Sequence, residues 1–374
     1  MRVPVFVALF GLLVCTRAGC PHAQTLANPD LSVLGDMRIN FRTGETADSL
    51  GVNEIQMEFR EIEFNFNAYL NPYMRADAFI GIHGTHGEVE VEEASITVLR
   101  GLPLDLQLKA GKYLLDFGRI NTQHPHQWGW IEWPLAHRAM LGEEGLWPVG
   151  LQLSSLQPLG ETAVRLSVNA FMGDAFAHEH HHDESADEHN DTAPAEIMGS
   201  ARLSLFRSFT DAWSAELGGS YLAGRYDPAE DLHVGLAGVD WKLKWRPDSY
   251  RAFVWTFEAI RSDRDVLPEH EEADTSENEP HIQKTEAFGA FSAVEVRFRR
   301  VWDVGGHFDY TQDPQIDGAE TTALGAWFGY MPAEETARFS VVYRHETSDL
   351  RQFDNDGVVF QIVWALGPHR PHPF

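Results

Sequence analysis

The chain has 374 residues, with 29 Lys and Arg against 56 Asp and Glu, a formal charge of −27 with His neutral. That acid excess would repel phosphates, which argues against a nucleic-acid partner, and it suits a surface that attracts cations. The two cysteines, Cys15 and Cys20, both lie close to the N-terminus, so the chain beyond them can form no disulfide.

Met1-Arg2 is followed by an apolar run over 3–14 and small residues over 18–23, the pattern of a secretory signal peptide spanning 1–23. The run is too short to cross a bilayer as a helix. Cleavage after Ala23 removes Arg2 and Arg17 and no acid, leaving 27 bases against 56 acids over 24–374. Lipidation at Cys20 is a weaker alternative, because Arg17 stands where such sites carry an aliphatic residue.

Beyond the leader the chain alternates with period two. Ile62, Phe64, Phe66, Ala68 and Leu70 are interleaved with Glu61, Glu63, Asn65, Asn67 and Tyr69. After the turn Asn71-Pro72-Tyr73, Met74 to Ile82 repeats the device, and it recurs at 33–41, 104–110, 164–170, 201–205, 235–245, 288–298, 338–344 and 358–364. This is the signature of strands with one apolar face. The polar set holds Arg38, Arg42, Arg75, Lys109, Arg165, Arg202, Lys242, Lys244, Arg297, Arg299 and Arg338, beside Glu61, Glu63, Asp77, Asp105, Asp240 and Glu295.

A soluble sandwich alternates too, but with its apolar face inward. The connections separate the two. Short turns near 71–73, 100–103, 157–161, 207–212, 246–249, 299–302 and 331–335 are expected to alternate strictly with connections at 43–54, 83–87, 118–147, 173–197, 225–231, 262–284, 312–319 and 347–355, most of them longer. Tight periplasmic turns and long external loops characterise outer-membrane barrels. The expected fold is therefore all-β, a transmembrane antiparallel β-barrel of about 16 strands, multi-pass in the outer membrane of a Gram-negative bacterium. Trp213, Tyr221, Trp241, Trp245, Trp255, Trp327, Tyr330 and Trp364 are expected in interfacial girdles. Lipid, lipopolysaccharide and the barrel assembly machinery are the implied surroundings and partners, with a homotrimer possible.

The closing stretch 357–366 and terminal Phe374 resemble the last strand and final aromatic of Gram-negative outer-membrane proteins, although 367–373 intervenes. Gly111-Lys112-Tyr113 with Phe117-Gly118-Arg119-Ile120-Asn121 resembles the third-loop region of polyphosphate/phosphate-type porins. Asn28-Pro29-Asp30-Leu31-Ser32-Val33 resembles the start of a group of poorly characterised, His-rich outer-membrane proteins linked to zinc. The porin resemblance implies a third loop, here 118–147, that folds inward to narrow a channel.

The histidines carry the remaining signal. Residues 174–196 hold five of the chain's 18 histidines and eight carboxylates with no Lys or Arg, and 262–283 add eight carboxylates, His270 and His281. Imidazole beside carboxylate suits Zn²⁺ and similar ions. The candidate metal ligands are His178, His180, His181, His182, Asp183 and His189, with His124 and His126 on loop 118–147. A solvated acidic loop is the competing reading of the run, and a packed aromatic lid that of loop 118–147. Zinc is expected as ligand or transported ion, no cofactor as required. No G-x-S-x-G, H-E-x-x-H or P-loop pattern occurs, so no catalytic residue is assigned. The expected function is a porin-like channel aiding uptake of a divalent metal captured by its outer loops. The alternatives are a metal-binding or adhesive surface protein anchored by its barrel, and a soluble secreted β-protein.

Overall fold

The structure, a computed structural model, describes residues 29–43, 55–84, 87–173, 176, 196–228, 230–267, 282–333, 336–351 and 354–367. The expected leader, the candidate ligands His178, His180, His181, His182, Asp183 and His189, and the C-terminal tail lie outside them.

Sixteen strands form one closed barrel in which every neighbour is antiparallel and follows chain order. They are β1 (Asp30–Thr43), β2 (Ile55–Asn71), β3 (Met74–His83), β4 (Glu88–Val98), β5 (Leu106–Lys112), β6 (Val149–Leu159), β7 (Thr162–Met172) and β8 (Ile197–Ser208), then β9 (Trp213–Asp227), β10 (Leu232–Trp245), β11 (Ala252–Val266), β12 (Gln283–Phe298), β13 (Trp302–Gln312), β14 (Glu320–Tyr330), β15 (Ala337–Ser348) and β16 (Asn355–Leu366). The ring closes by pairing β1 with β16, from Val33 opposite Leu366 to Thr43 opposite Asp356. Closure leaves no sheet edge, so the ladder satisfies the strands' N–H and C=O groups without water, as a hydrocarbon medium demands. Among the described residues no helix is long and apolar enough to cross a membrane.

The outward face shows which solvent the barrel faces. Leu151, Leu153, Leu166, Val168, Leu203, Val239, Phe288, Phe308, Leu324, Phe328 and Phe360, from strands all round the ring, are exposed. Soluble monomers rarely tolerate apolar patches beyond a few hundred Å². A belt of this extent matches lipid, and the inner face is polar: Asp36, Arg38, Glu61, Glu63, Asn65, Arg202, Asp240 and Glu258 are buried within. At the turn end, aromatic rings stack in a girdle, Trp302 on Tyr330 at 4.3 Å and Trp213 near Trp245 at 6.1 Å. Asp248 organises one of these turns by accepting bonds from the N–H groups of Tyr250 and Arg251 and from the Arg251 guanidinium. The guanidinium and those N–H groups hold its carboxyl below the ordinary range.

Four expectations are corrected in detail. Trp327 is not in a girdle: it faces the lumen, fully buried, and donates Nε1–H to Asp303 at 2.9 Å. Arg299 is in a turn at φ 52°, and Asp105 in the short 3-10 turn Pro103–Asp105 at φ 53°, so neither belongs to the wall. The strict alternation of connection lengths fails too, because the turn 99–105 outlasts the outer connection 228–231. What holds is the disparity at 113–148, 173–196 and 267–282.

If the belt faces lipid, the chain lacking 1–23 will fold only in detergent or bilayers. The folded form will run faster than the boiled form on a denaturing gel. A chain that folds in plain buffer and shows one mobility would contradict the barrel.

Candidate functional site

The connection 113–148 turns back into the barrel. It contains short 3-10 turns at Ile120–Thr122 and Pro125–Gln127 and the helix α1 (Leu135–Leu141). Two apolar contacts hold it. Tyr113, Leu115, Phe117, Met140 and Leu146 pack on inward residues of β7–β12 such as Phe171, Leu222, Leu236 and Ile260. Farther along, Ile120, Trp128, Trp130, Ile131 and Trp133 pack on Phe291, Trp327, Val342 and Val359 of β12, β14, β15 and β16.

An irregular segment inside a barrel brings backbone N–H and C=O groups that must be satisfied there, each at a cost of about 1–3 kcal/mol if orphaned. Wall side chains meet them one by one. Glu258 of β11 accepts the N–H groups of Arg119 and Ile120 at 2.9 and 3.0 Å and faces His137 Nε2 at 2.9 Å. Asp309 of β13 accepts the N–H of Leu135 at 2.7 Å. Arg38 of β1 donates to the carbonyl of Ile131, and Arg338 of β15 to that of Trp128, both at 3.0 Å. Gly118 sits at φ +63° with its α-carbon against the Glu258 carboxylate, where a Cβ would collide. Thus the aromatic lid and the inward-folded loop are both present, in one segment.

Three histidines, His124, His126 and His137, travel with the segment. All three are buried inside the barrel, because their segment folds inward. His124 and His126 face β2, β3 and β4. Nδ1 of His124 lies 3.2 Å from Glu63 Oε2 and 3.5 Å from Glu92 Oε2, and its Nε2 lies 3.3 Å from Glu93. Nδ1 of His126 lies 3.8 Å from Glu63 Oε2. Next to them, Nε2 of His83 is 3.2 Å from Glu92 Oε1, while Arg60 reaches Glu61 at 3.1 Å. His307 is buried in β13 beside Phe291, apart from this group.

Two β-bulges build that acidic wall. The register of β1 on β2 slips so that Asp36 opposes Glu61 and Met37 opposes Phe59, leaving Arg60 extra. On β3 and β4, Phe79 opposes Glu93 and Ile80 opposes Val91, leaving Glu92 extra. A bulge shifts the alternation by one, so two consecutive residues face the same side. Hence Glu92 and Glu93 are both buried toward the lumen. The sequence carries a trace of both slips: Met57 and Phe59 give way to Ile62 and Phe64, and Val89 and Val91 to Ala94 and Ile96.

Below the inserted segment, toward the turn end, lie two cavities of about 540 and 510 Å³. Arg119, Gln123, His126 and Gln127 border both, so the segment forms their shared roof and partition. The first is mixed in charge, with Glu63, Glu93, Asp116 and Glu216 against Lys109, Arg119, Arg165 and Arg202. The second is basic, lined by Arg119, Lys242, Lys244, Arg246, Arg251, Arg297, Arg300 and Arg338 with Glu295. The lumen end that faces the turns thus carries a sign opposite to the chain's net charge.

No family model matches the chain. It is 25% identical to an uncharacterized protein of Aquifex aeolicus (strain VF5), over 95% of this chain and 81% of that one. Solved structures are more informative. An anion-selective porin from Comamonas acidovorans superposes with a TM-score of 0.56 at 8% identity, covering 90% of this chain and 99% of that one. The fold is that of the outer-membrane porins. The trimer form of OmpT from Vibrio cholerae gives a TM-score of 0.53 at 10% identity, over 91% and 100% of the two chains. The outer membrane channel DcaP of Acinetobacter baumannii gives 0.54 at 11%, over 91% and 96%. A porin fold belongs to the Gram-negative outer membrane, in keeping with the apolar belt.

Glu258→Ala will orphan two buried N–H groups and remove the partner of His137, a loss of about 2–6 kcal/mol from the loop's seat. Limited trypsin digestion of the folded barrel should then cleave at Arg119 or Arg138, sites protected in the parent. Glu258→Gln keeps an acceptor and should be cleaved more slowly. Equal protection in all three would show that Glu258 does not hold the segment.

Proposed function

We propose that the chain is an outer-membrane diffusion channel for small solutes, narrowed by the inserted segment 113–148 and favouring anions at its inner mouth. The observation that carries this reading is the pair of solvent-sized cavities beneath that segment, one of them lined by eight basic residues and a single acid. Such a field raises the local concentration of small anions and lowers that of cations. The likeness to porins, among them one described as anion-selective, supports the channel part through the fold. A homotrimer belongs to the same proposal, since the OmpT neighbour is described in trimer form.

Capture of zinc or a similar divalent ion by the outer loops is a separate proposal. It rests on the histidines and carboxylates of 173–197 and the acids of 262–284. Two acidic loops at one rim would concentrate such ions before any coordination.

Planar-bilayer recording tests the channel. Purified protein should give discrete conductance steps, with a reversal potential under a KCl gradient that reports chloride preference. The triple variant Lys242→Glu, Lys244→Glu and Arg297→Glu should move that potential toward potassium. A barrel that inserts yet never conducts would instead favour a surface protein for which the barrel is an anchor. For the outer loops, titration calorimetry with Zn²⁺ should show fewer ions bound once residues 178–189 are deleted. Equal stoichiometry would remove that loop from metal capture.

A further inference from the structure

Two adjoining groups on the lumen wall have the composition and spacing of metal ligands: Glu63, His124 and His126, and Glu61, His83 and Glu92. In each, one candidate atom per residue lies within 4.8 Å of the others. Tetrahedral ligands at about 2.0–2.2 Å from Zn²⁺ stand about 3.3–3.6 Å apart. The separations of Glu63 Oε2 from the Nδ1 atoms of His124 and His126, 3.2 and 3.8 Å, bracket that value. The two groups touch where Glu92 Oε2 lies 3.5 Å from His124 Nδ1.

Proximity alone would fit ion pairs between protonated imidazoles and carboxylates. A further observation points to a ligand. Glu63 Oε2, Glu92 Oε2 and Glu61 Oε1 are buried, on residues 2%, 6% and 3% exposed, and none accepts a hydrogen bond of good geometry, His124 Nδ1 lying near Glu63 Oε2 and Glu92 Oε2 without aligning on either. A buried carboxylate oxygen without a donor is costly, and a coordinated cation satisfies it. Gly81 faces the lumen here, and the absence of a Cβ lets His83 Nε2 and Glu92 Oε1 pack over it. Phe79 stacks on His124 at 5.1 Å, and Trp147 meets it edge-on at 5.3 Å, fixing the ring's plane. The 540 Å³ cavity, lined by Glu63, His124 and His126, gives an ion a route in.

We propose that the wall of β2–β4 and the inserted His124-Pro125-His126 turn form a buried divalent-metal site in the lumen. Imidazole with carboxylate selects Zn²⁺ or a similar transition ion over Ca²⁺ and Mg²⁺, which favour all-oxygen shells. The metal ties the segment to the wall across the ring from the Glu258 anchor on β11. This site stands apart from the outer loops and does not rest on the channel reading.

The test uses Co²⁺ absorption and Zn²⁺ calorimetry on the folded chain in detergent micelles. Replacing all five histidines of 178–189 by Ala should leave a tetrahedral or five-coordinate Co²⁺ spectrum in the visible region. His124→Ala with His126→Ala, and separately Glu63→Gln, should weaken that site at least about tenfold. Excess Mg²⁺ should not displace the ion. Each variant must keep its heat-modifiable gel mobility, and Met140→Leu, where the segment packs on the β7–β12 side, serves as a packing control that retains the ligands and the spectrum. The proposal falls if His124→Ala/His126→Ala binds Zn²⁺ like the parent, if all binding disappears with the loop histidines, or if Mg²⁺ competes equally. Because binding is read in micelles, a barrel that never conducts can still pass this test, and a conducting one can fail it.

Discussion

The architecture depends on satisfying a stretch of irregular backbone deep inside a β-barrel. A ring of sixteen strands encloses more space than its own side chains fill, and here segment 113–148 occupies it. That insertion is stable only because particular strands present acceptors and donors where its N–H and C=O groups emerge. Glu258, Asp309, Arg38 and Arg338 serve β11, β13, β1 and β15, so the segment is tied to widely separated points of the wall. The inward charges of those strands are thus bound up in holding the segment as well as in lining a lumen.

This division also organises the electrostatics. On the β7–β12 side the upper wall is apolar, with Leu222, Leu236 and Ile260 against the segment's own Phe117 and Met140. Carboxylates and imidazoles gather on β2–β4, and bases gather toward the turns on β10–β15. The interior is a set of three surfaces of different chemistry, separated by one folded segment. Net charge says nothing of this arrangement, since many of the acids belong to the connections between strands.

The barrel was largely legible in the sequence. Lipid on one side and water on the other impose period two over sixteen strands, and turn residues punctuate them. The inward face of Lys242, Lys244, Arg202 and Asp240 followed from that alternation alone. Other features escaped for physical reasons. Trp327 resembles any interfacial tryptophan until the Trp130 ring and Asp303 are known to wait on its inner side. Glu258 stands as a lone acid among Trp255, Thr256, Phe257 and Ala259, which marks it as unusual but names no partner, because the partners come from a loop over 100 residues earlier. The loop's inward course was suggested by resemblance to porins and not by its composition, since Trp128, Trp130 and Trp133 pack equally well in a lid. Glu92 and Glu93 were overlooked because an alternation counted strand by strand assumes no slip.

Those two slips constrain what the strands can become. Outward of Glu92, the faces of β4 are set by the extra residue: removing one position there would rotate Val89 and Val91 into water and Glu88 and Glu90 toward hydrocarbon. The same holds for Ile55, Met57 and Phe59 above Arg60 on β2. Length changes in outer connections other than 113–148 leave the strand phase untouched, yet within these strands a change by one is forbidden unless a second change restores the phase. The acidic wall is protected by the cost of turning part of the barrel inside out.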